Sequence, residues 1–223
     1  MPRLLPTSLV ALLAGGALFA LASPILAADD VVDAPAPAVQ EANAASRETA
    51  IFAGGCFWGV QGVFSHVKGV ISTTAGYDGG SAASAHYPIV STGTTGHAES
   101  VKVVFDPRQV DYADLLRIYF SVITDPTELN RQGPDEGTQY RSALFAQSPA
   151  QARVARAYIA QLSRAHVYQR PIVTRIEADH GFFPAEGYHQ DFMAKNPDYP
   201  YIVINDRPKV DALKQMFPTR WKS

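Results

Sequence analysis

The sequence predicts an α+β fold, a two-layer α/β sandwich in which helices pack on one face of a mixed or antiparallel sheet. Three observations lead there. Stretches with a period of two recur along the chain among stretches of helical period. They follow one another as hairpin-like neighbours, not as a strict strand–helix–strand repeat. The part of the chain with this patterning, residues 47–223, has the length of one ordinary domain.

The elements can be justified in order. Residues 1–27 read as a signal peptide. A short positive start is followed by an uncharged run from Leu4 to Ala28 that Pro24 breaks and small residues end. Cleavage there implies export, most simply to a bacterial periplasm, and no membrane attachment afterwards. An uncleaved segment would be long enough to anchor the chain. Residues 28–46 are rich in Ala, Pro and Glu, lack an apolar period, and read as a disordered linker. "TAIFA" (Thr49–Ala53) is a short apolar strand ending at Gly54-Gly55. From Cys56 the period becomes helical, with Phe57, Val60 and Phe64 on one face and Gln61 off it.

"GVISTTAGY" reads as a strand, followed by a long Gly- and Ser-rich loop that ends near Tyr87. "HAESVKVVF" alternates and stops at Asp106-Pro107. Asp111 can cap the helix "DYADLLRIYFSVI". A polar, glycine-punctuated loop runs through Asp135 to Tyr140 and into a short strand. Ser148, Pro149 and Gln151 have the spacing of an N-cap, first helical residue and capping box, and Val154, Tyr158 and Leu162 form the buried stripe behind them. "PIVTRIEA" reads as a strand; "FPAEGYHQDFMAKNP" and "DRPKVDALKQMF" read as helices.

Composition excludes some functions. The chain is 47% hydrophobic and 18% charged, with a formal net charge of -2. Without a run of Lys or Arg it has no surface for nucleic acid. The six histidines are scattered, with no ligand spacing for a metal.

The chemistry centres on Cys56, the only cysteine. A glycine turn before it and a helix after it place the thiol at a helix N-terminus, where free N–H groups and the dipole favour the thiolate. It reads as a nucleophile, with a small buried apolar residue as the alternative. Phe57 and Trp58 cannot both point into the same core, because successive helical residues diverge by about 100°. One of them can line a surface beside the sulfur and receive a methyl or thioether group. Counting by twos puts Glu99 on the face of Val101, Val103 and Phe105, the apolar one. It is either a solvated strand start or a buried carboxyl kept protonated near neutrality. Tyr87, Tyr140 and Asp135 taken singly are ordinary junction and turn residues.

Taken together these residues resemble a known family. "GGCFWG" (Gly54–Gly59), "TTGHAE" (Thr94–Glu99), "NRQGPDEGTQYRS" (Asn130–Ser142) and "YHQDF" (Tyr188–Phe192) resemble, in the same order, the motifs of the type A peptide methionine sulfoxide reductases. The resemblance implies a ferredoxin-like type of α/β sandwich and reduction of methionine-S-sulfoxide, protein-bound or free. It implies catalytic roles for Cys56 as nucleophile, Glu99 as acid, Tyr87 and Tyr140 as hydroxyls on the sulfoxide oxygen, and Asp135 as a supporting acid. Phe57 and Trp58 would bind the substrate's methyl group. No bound cofactor or metal is implied. Many relatives carry a resolving cysteine; here the tail has none, and Ser91 stands where some have one. This chain therefore resembles a one-cysteine member whose sulfenic acid is reduced by an external thiol, thioredoxin- or glutaredoxin-like or small. Phe192 stands where the family often has Tyr, which removes one hydroxyl and weakens a role for that segment. Two alternatives remain from the residues alone: a secreted cysteine hydrolase using His97 or His189 as base, and a non-enzymatic module that binds methionine peptides through Phe57 and Trp58.

Overall fold

The computed structural model describes residues 31–40 and 45–223. The expected signal peptide, residues 1–27, lies outside the described residues. Six strands form one sheet in the order β7-β6-β1-β3-β2-β8. They are β1 (Glu48–Gly54), β2 (Val70–Asp78), β3 (Ala98–Phe105), β6 (Ser142–Ala146), β7 (Arg175–Ala178) and β8 (Phe183–Pro184). All neighbours are antiparallel except β6 and β7, so the sheet is mixed. A separate two-stranded ribbon joins β4 (Arg131–Gln132) to β5 (Asp135–Glu136).

The inner strands are buried on both sides, and their alternation separates two cores. Ala50, Phe52, Val101, Val103, Phe105 and Leu144 face the main core. The helices α1 (Phe57–Ser65), α3 (Tyr112–Ile118), α4 (Pro149–Arg164) and α6 (Arg207–Met216) all contribute their buried residues to that same core. On the opposite face Ile51, Ala53, Ala98, Ala143 and Phe145 form a smaller cluster under Phe182. The chain is thus an α+β fold with its helical layer on one face of the sheet.

Local signals work largely as the residues suggest. Ser148 Oγ accepts from the Gln151 N–H at 3.0 Å and caps α4. The Gln151 side chain, however, accepts from Gln147 N–H, not from Ser148, while its amide donates to Glu48 and Thr49. Asp111 accepts from Asp114 N–H at 2.7 Å and caps α3, which passes into a π-helical turn at Tyr119–Ile123. Gln61, expected off the apolar face of α1, is buried because it bridges Thr73 O and the Asp191 N–H.

Three expectations change. The strand expected over 171–178 pairs only from Arg175 to Ala178. The helix expected over 183–197 reduces to a strand pair at Phe183–Pro184 and one short helix, α5 (Phe192–Lys195). Residues 31–40 fall inside the segment expected to be a disordered linker, yet they lie as an extended strap against α3 and α4. Ala34 is fully buried, Arg117 donates to Ala34 O, and Tyr158 OH donates to Pro35 O. Gln161 donates to Ala36 O and accepts from Ala38 N–H. The composition argument fails because the strap is held through its backbone groups, which no hydropathy pattern reveals.

Candidate active site

The site starts at the turn between β1 and α1. Gly55 has φ +90, and a Cβ there would meet Gln132 at 2.7 Å, so only glycine makes this turn. Cys56 follows at the N-cap position of α1 without a capping side chain. The first helical N–H, that of Phe57, is instead taken by Glu99 Oε2 at 3.0 Å. Glu99 reaches it from β3, on the main-core face of the sheet, and is 3% exposed. The reading of Glu99 as a solvated strand start is therefore excluded.

Phe57 turns inward and is buried, whereas Trp58 is half-buried. Tyr87 opens the short helix α2 (Tyr87–Val90) and is not at a loop–strand junction. Its N–H donates to Glu186 Oε1 at 2.9 Å, and the other oxygen of Glu186 accepts from Tyr77 OH. Tyr140 ends the 3-10 turn that leads into β6. Asp135 stands on β5, and Tyr201 OH donates to its Oδ2.

These groups converge on one pocket of about 210 Å³, lined by Cys56, Phe57, Trp58, Tyr87, Glu99, Asp135, Tyr140, Tyr199 and Tyr201. All seven residues singled out from the sequence are there. The two it missed, Tyr199 and Tyr201, come from an irregular stretch whose aromatic spacing, "DYPY", was the only available signal. His97 and His189 do not line the pocket. The His97 ring nitrogen Nε2 is 3.0 Å from Ser81 O, and His189 Nδ1 accepts from Trp58 Nε1–H at 3.1 Å. Neither is placed as a base for Cys56, which removes the geometric case for a hydrolase. Among the described residues no group of three or more His, Cys, Asp or Glu is arranged to hold a metal.

Electrostatics follow from burial. Desolvation pushes the Glu99 carboxyl up to about 8; the Phe57 N–H opposes this, and the Asp135 and Asp206 carboxyls add to it. Glu99 therefore holds its proton at neutral pH. The thiol departs from the sequence expectation. Burial raises Cys56 well above its ordinary value, Glu99 and Asp206 raise it further, and only the Trp58 N–H works toward the thiolate. Helix-terminus stabilisation is thus outweighed by desolvation and by carboxyls on the same side, and the resting cysteine is a thiol. Burial also raises Tyr87 and Tyr140, so both phenols remain donors. The pocket thus offers a neutral carboxylic acid, phenolic O–H groups, a thiol and an aromatic wall. That set suits a neutral, strongly polar X=O group carrying a small apolar substituent.

The model of the family described as peptide methionine sulfoxide reductase matches residues 48–221. The chain belongs to the peptide methionine sulfoxide reductase family. Peptide methionine sulfoxide reductase MsrA 2 of Mesorhizobium japonicum is 59% identical over 180 residues, 81% of this chain and 92% of its own. A Synechocystis protein of the same name is 48% identical and covers 81% of this chain and 85% of its own. Among solved structures, reduced Mxr1 of Saccharomyces cerevisiae superposes with a TM-score of 0.62 at 31% identity, covering 73% of this chain and 92% of that one. Methionine sulfoxide reductase A of Corynebacterium diphtheriae gives 0.58 at 30% identity, covering 78% and 92%. The chain is accordingly a methionine sulfoxide reductase, an oxidoreductase acting on sulfur. The family match begins at residue 48, so the strap of residues 31–40 precedes the shared domain.

Proposed function

We propose that this reductase acts on methionine-S-sulfoxide, in oxidised proteins and as the free amino acid, by attack of Cys56 on the sulfoxide sulfur with Glu99 as proton donor. The observation that carries the reading is the buried Glu99 carboxyl, neutral at pH 7 and bonded to the N–H directly after Cys56. The substrate methyl rests against Phe57 and Trp58, and its oxygen meets Glu99, Tyr87 and Tyr140, with Asp135 behind them. Glu99 gives its proton to the sulfoxide oxygen, which makes the sulfur electrophilic. The Cys56 sulfur attacks as its own proton passes to the Glu99 carboxylate. The new bond between the Cys56 sulfur and the substrate sulfur then breaks together with the substrate S–O bond, as the hydroxyl passes to Cys56 and leaves it a sulfenic acid. The substrate sulfur gains two electrons and leaves as a thioether, Cys56 loses two, and Glu99 is protonated as it began.

With one cysteine in 223 residues, the second half of the cycle falls to an external thiol. One thiol displaces water and forms a mixed disulfide with Cys56; a second releases the free cysteine. A thioredoxin- or glutaredoxin-like protein, or a small thiol, would supply both. The leader-like residues 1–27 support export of this repair activity to a periplasm, free of the membrane once they are cleaved. The test is stoichiometry. Without reductant, each chain releases one methionine and Cys56 gains one oxygen by mass spectrometry; Cys56→Ser releases none. Repeated turnover without added thiol contradicts the mechanism, and a sulfoxide bound with no mass change favours a binding module.

A further inference from the structure

We infer that His189 is a positioning residue for the substrate pocket: its Nδ1 fixes the Trp58 indole, while Phe192 holds the same ring from its flat face. The inference rests on the reading that Trp58 receives the substrate's methyl group.

Trp58 is a half-buried wall of the pocket, held by contacts from beyond its own helix. Phe57 is buried in the core, and Trp58, one position on, is only partly buried against its edge. The indole is fixed from outside. Phe192 stacks on it with ring centres 3.8 Å apart and planes within 12°. Tyr201 meets it edge-on at 5.9 Å. The indole N–H donates to His189 Nδ1 at 3.1 Å. Stacking limits tilt, but a ring can still slide or turn within its plane; a hydrogen bond at one corner removes that freedom.

The tautomer is determined by this contact. Indole nitrogen is only a donor, so Nδ1 accepts and the imidazole proton sits on Nε2. Burial lowers the His189 pKa, with Glu186 opposing, which keeps the ring neutral. His189 is 2% exposed, and its Nε2 has no hydrogen-bond partner among the described residues. A buried donor without a partner costs stability. If the side chain only filled space between Phe57, Tyr87 and Tyr188, phenylalanine would fill it at lower cost. The histidine is explained by the acceptor it presents to Trp58. Phe192 then has a use that needs no hydroxyl, contrary to the expectation that its lack of one weakens this segment.

The experiment compares His189→Phe, which keeps a ring and loses the acceptor, with His189→Asn, whose side-chain oxygen can take the place of Nδ1. Single-turnover reduction is read as a function of sulfoxide concentration, and the Trp58 indole N–H is followed by NMR, assigned by its loss in Trp58→Phe. His189→Phe is expected to melt no lower than the wild type, to shift the indole signal and to speed its exchange. It raises the half-saturating sulfoxide concentration about tenfold, with a smaller change in the saturated rate. His189→Asn restores most of both. In a Trp58→Phe background, His189→Phe should add nothing. An unshifted indole signal, an unchanged half-saturation, or an equal loss in the Trp58→Phe background overturns the inference. Absence of any sulfoxide reduction by the wild type would overturn the proposed function instead, and the indole signal would still report on the contact.

Discussion

Cys56 and Glu99 are set by long elements, a seven-residue strand running into a helix and an eight-residue strand, whereas Tyr199, Tyr201, His189 and Phe192 come from a stretch of turns and short helical pieces. Cys56 joins β1 to α1, and Glu99 lies within β3, opposite Tyr77 of β2. Of the other four, His189 and Tyr199 lie outside helix and strand, Phe192 opens the four-residue α5, and Tyr201 stands at the head of the π-helical turn Ile202–Asp206. This irregular stretch is tied down one side chain at a time. The Gln190 amide donates to Ala75 O and its oxygen accepts from Ala75 N–H, and Gln61 accepts from Asp191 N–H. The contrast separates two jobs. Groups that exchange protons and electrons need a fixed distance, which a paired strand and a helix start provide. Groups that shape a wall need only be anchored, and irregular chain can place several rings around one side chain.

If the division holds, substitutions in the regular half lower the rate of the chemical step and substitutions in the irregular half weaken binding. The largest effect is expected for Glu99→Gln, which keeps the shape and the Phe57 N–H contact but cannot give a proton. Its saturated single-turnover rate should fall by a factor on the order of 10²–10³, with half-saturation little changed. A fall only in affinity would break the comparison. Next comes a stability effect of the same residue. A carboxyl raised to about 8 is protonated in the folded chain where the unfolded chain has ionised it. Its contribution to stability is therefore full at acid pH and is lost as pH rises toward and through 8. Relative to Glu99→Gln, the wild type should lose about 3–4 kcal/mol between about pH 5 and pH 8, read from denaturant unfolding. Parallel pH profiles for the two proteins would show that Glu99 is ionised in the fold. The smallest effect is expected on the irregular side. Tyr201→Phe removes the hydroxyl that Asp135 accepts and should raise half-saturation about three- to tenfold with a near-normal saturated rate. A hundredfold loss of saturated rate would move Tyr201 into the reacting group.

The same division explains what could be read from the sequence. The alternation of "HAESVKVVF" was enough to put Glu99 on the core face, because parity in a strand is a strictly local property. The turn before Cys56 was legible from two glycines and a change of period. His189, Tyr199 and Tyr201 carried no such periodicity, and their partners lie far away along the chain: Trp58 is 131 residues from His189. The Cys56 thiol departs from the helix-terminus expectation for a related reason. The helix N-terminus can be read from the sequence, but burial and the proximity of Glu99, Asp206 and Asp135 exist only after folding. The stacking of Phe192 on Trp58 is likewise illegible, since a ring partner cannot be read from one position alone.

The strap of residues 31–40 carries a consequence for how much change the chain can absorb. An unattached leader is free to drift in length and composition. Here Ala34 occupies a place with no exposed surface, and Pro35 and Ala36 present carbonyls to Tyr158 and Gln161. A larger residue at position 34 would have to displace the packing around α3 and α4, and an insertion within the strap would throw those carbonyls out of step with their donors. This short Ala- and Pro-rich segment is therefore constrained as a piece of core, and the packed unit begins ahead of the first strand.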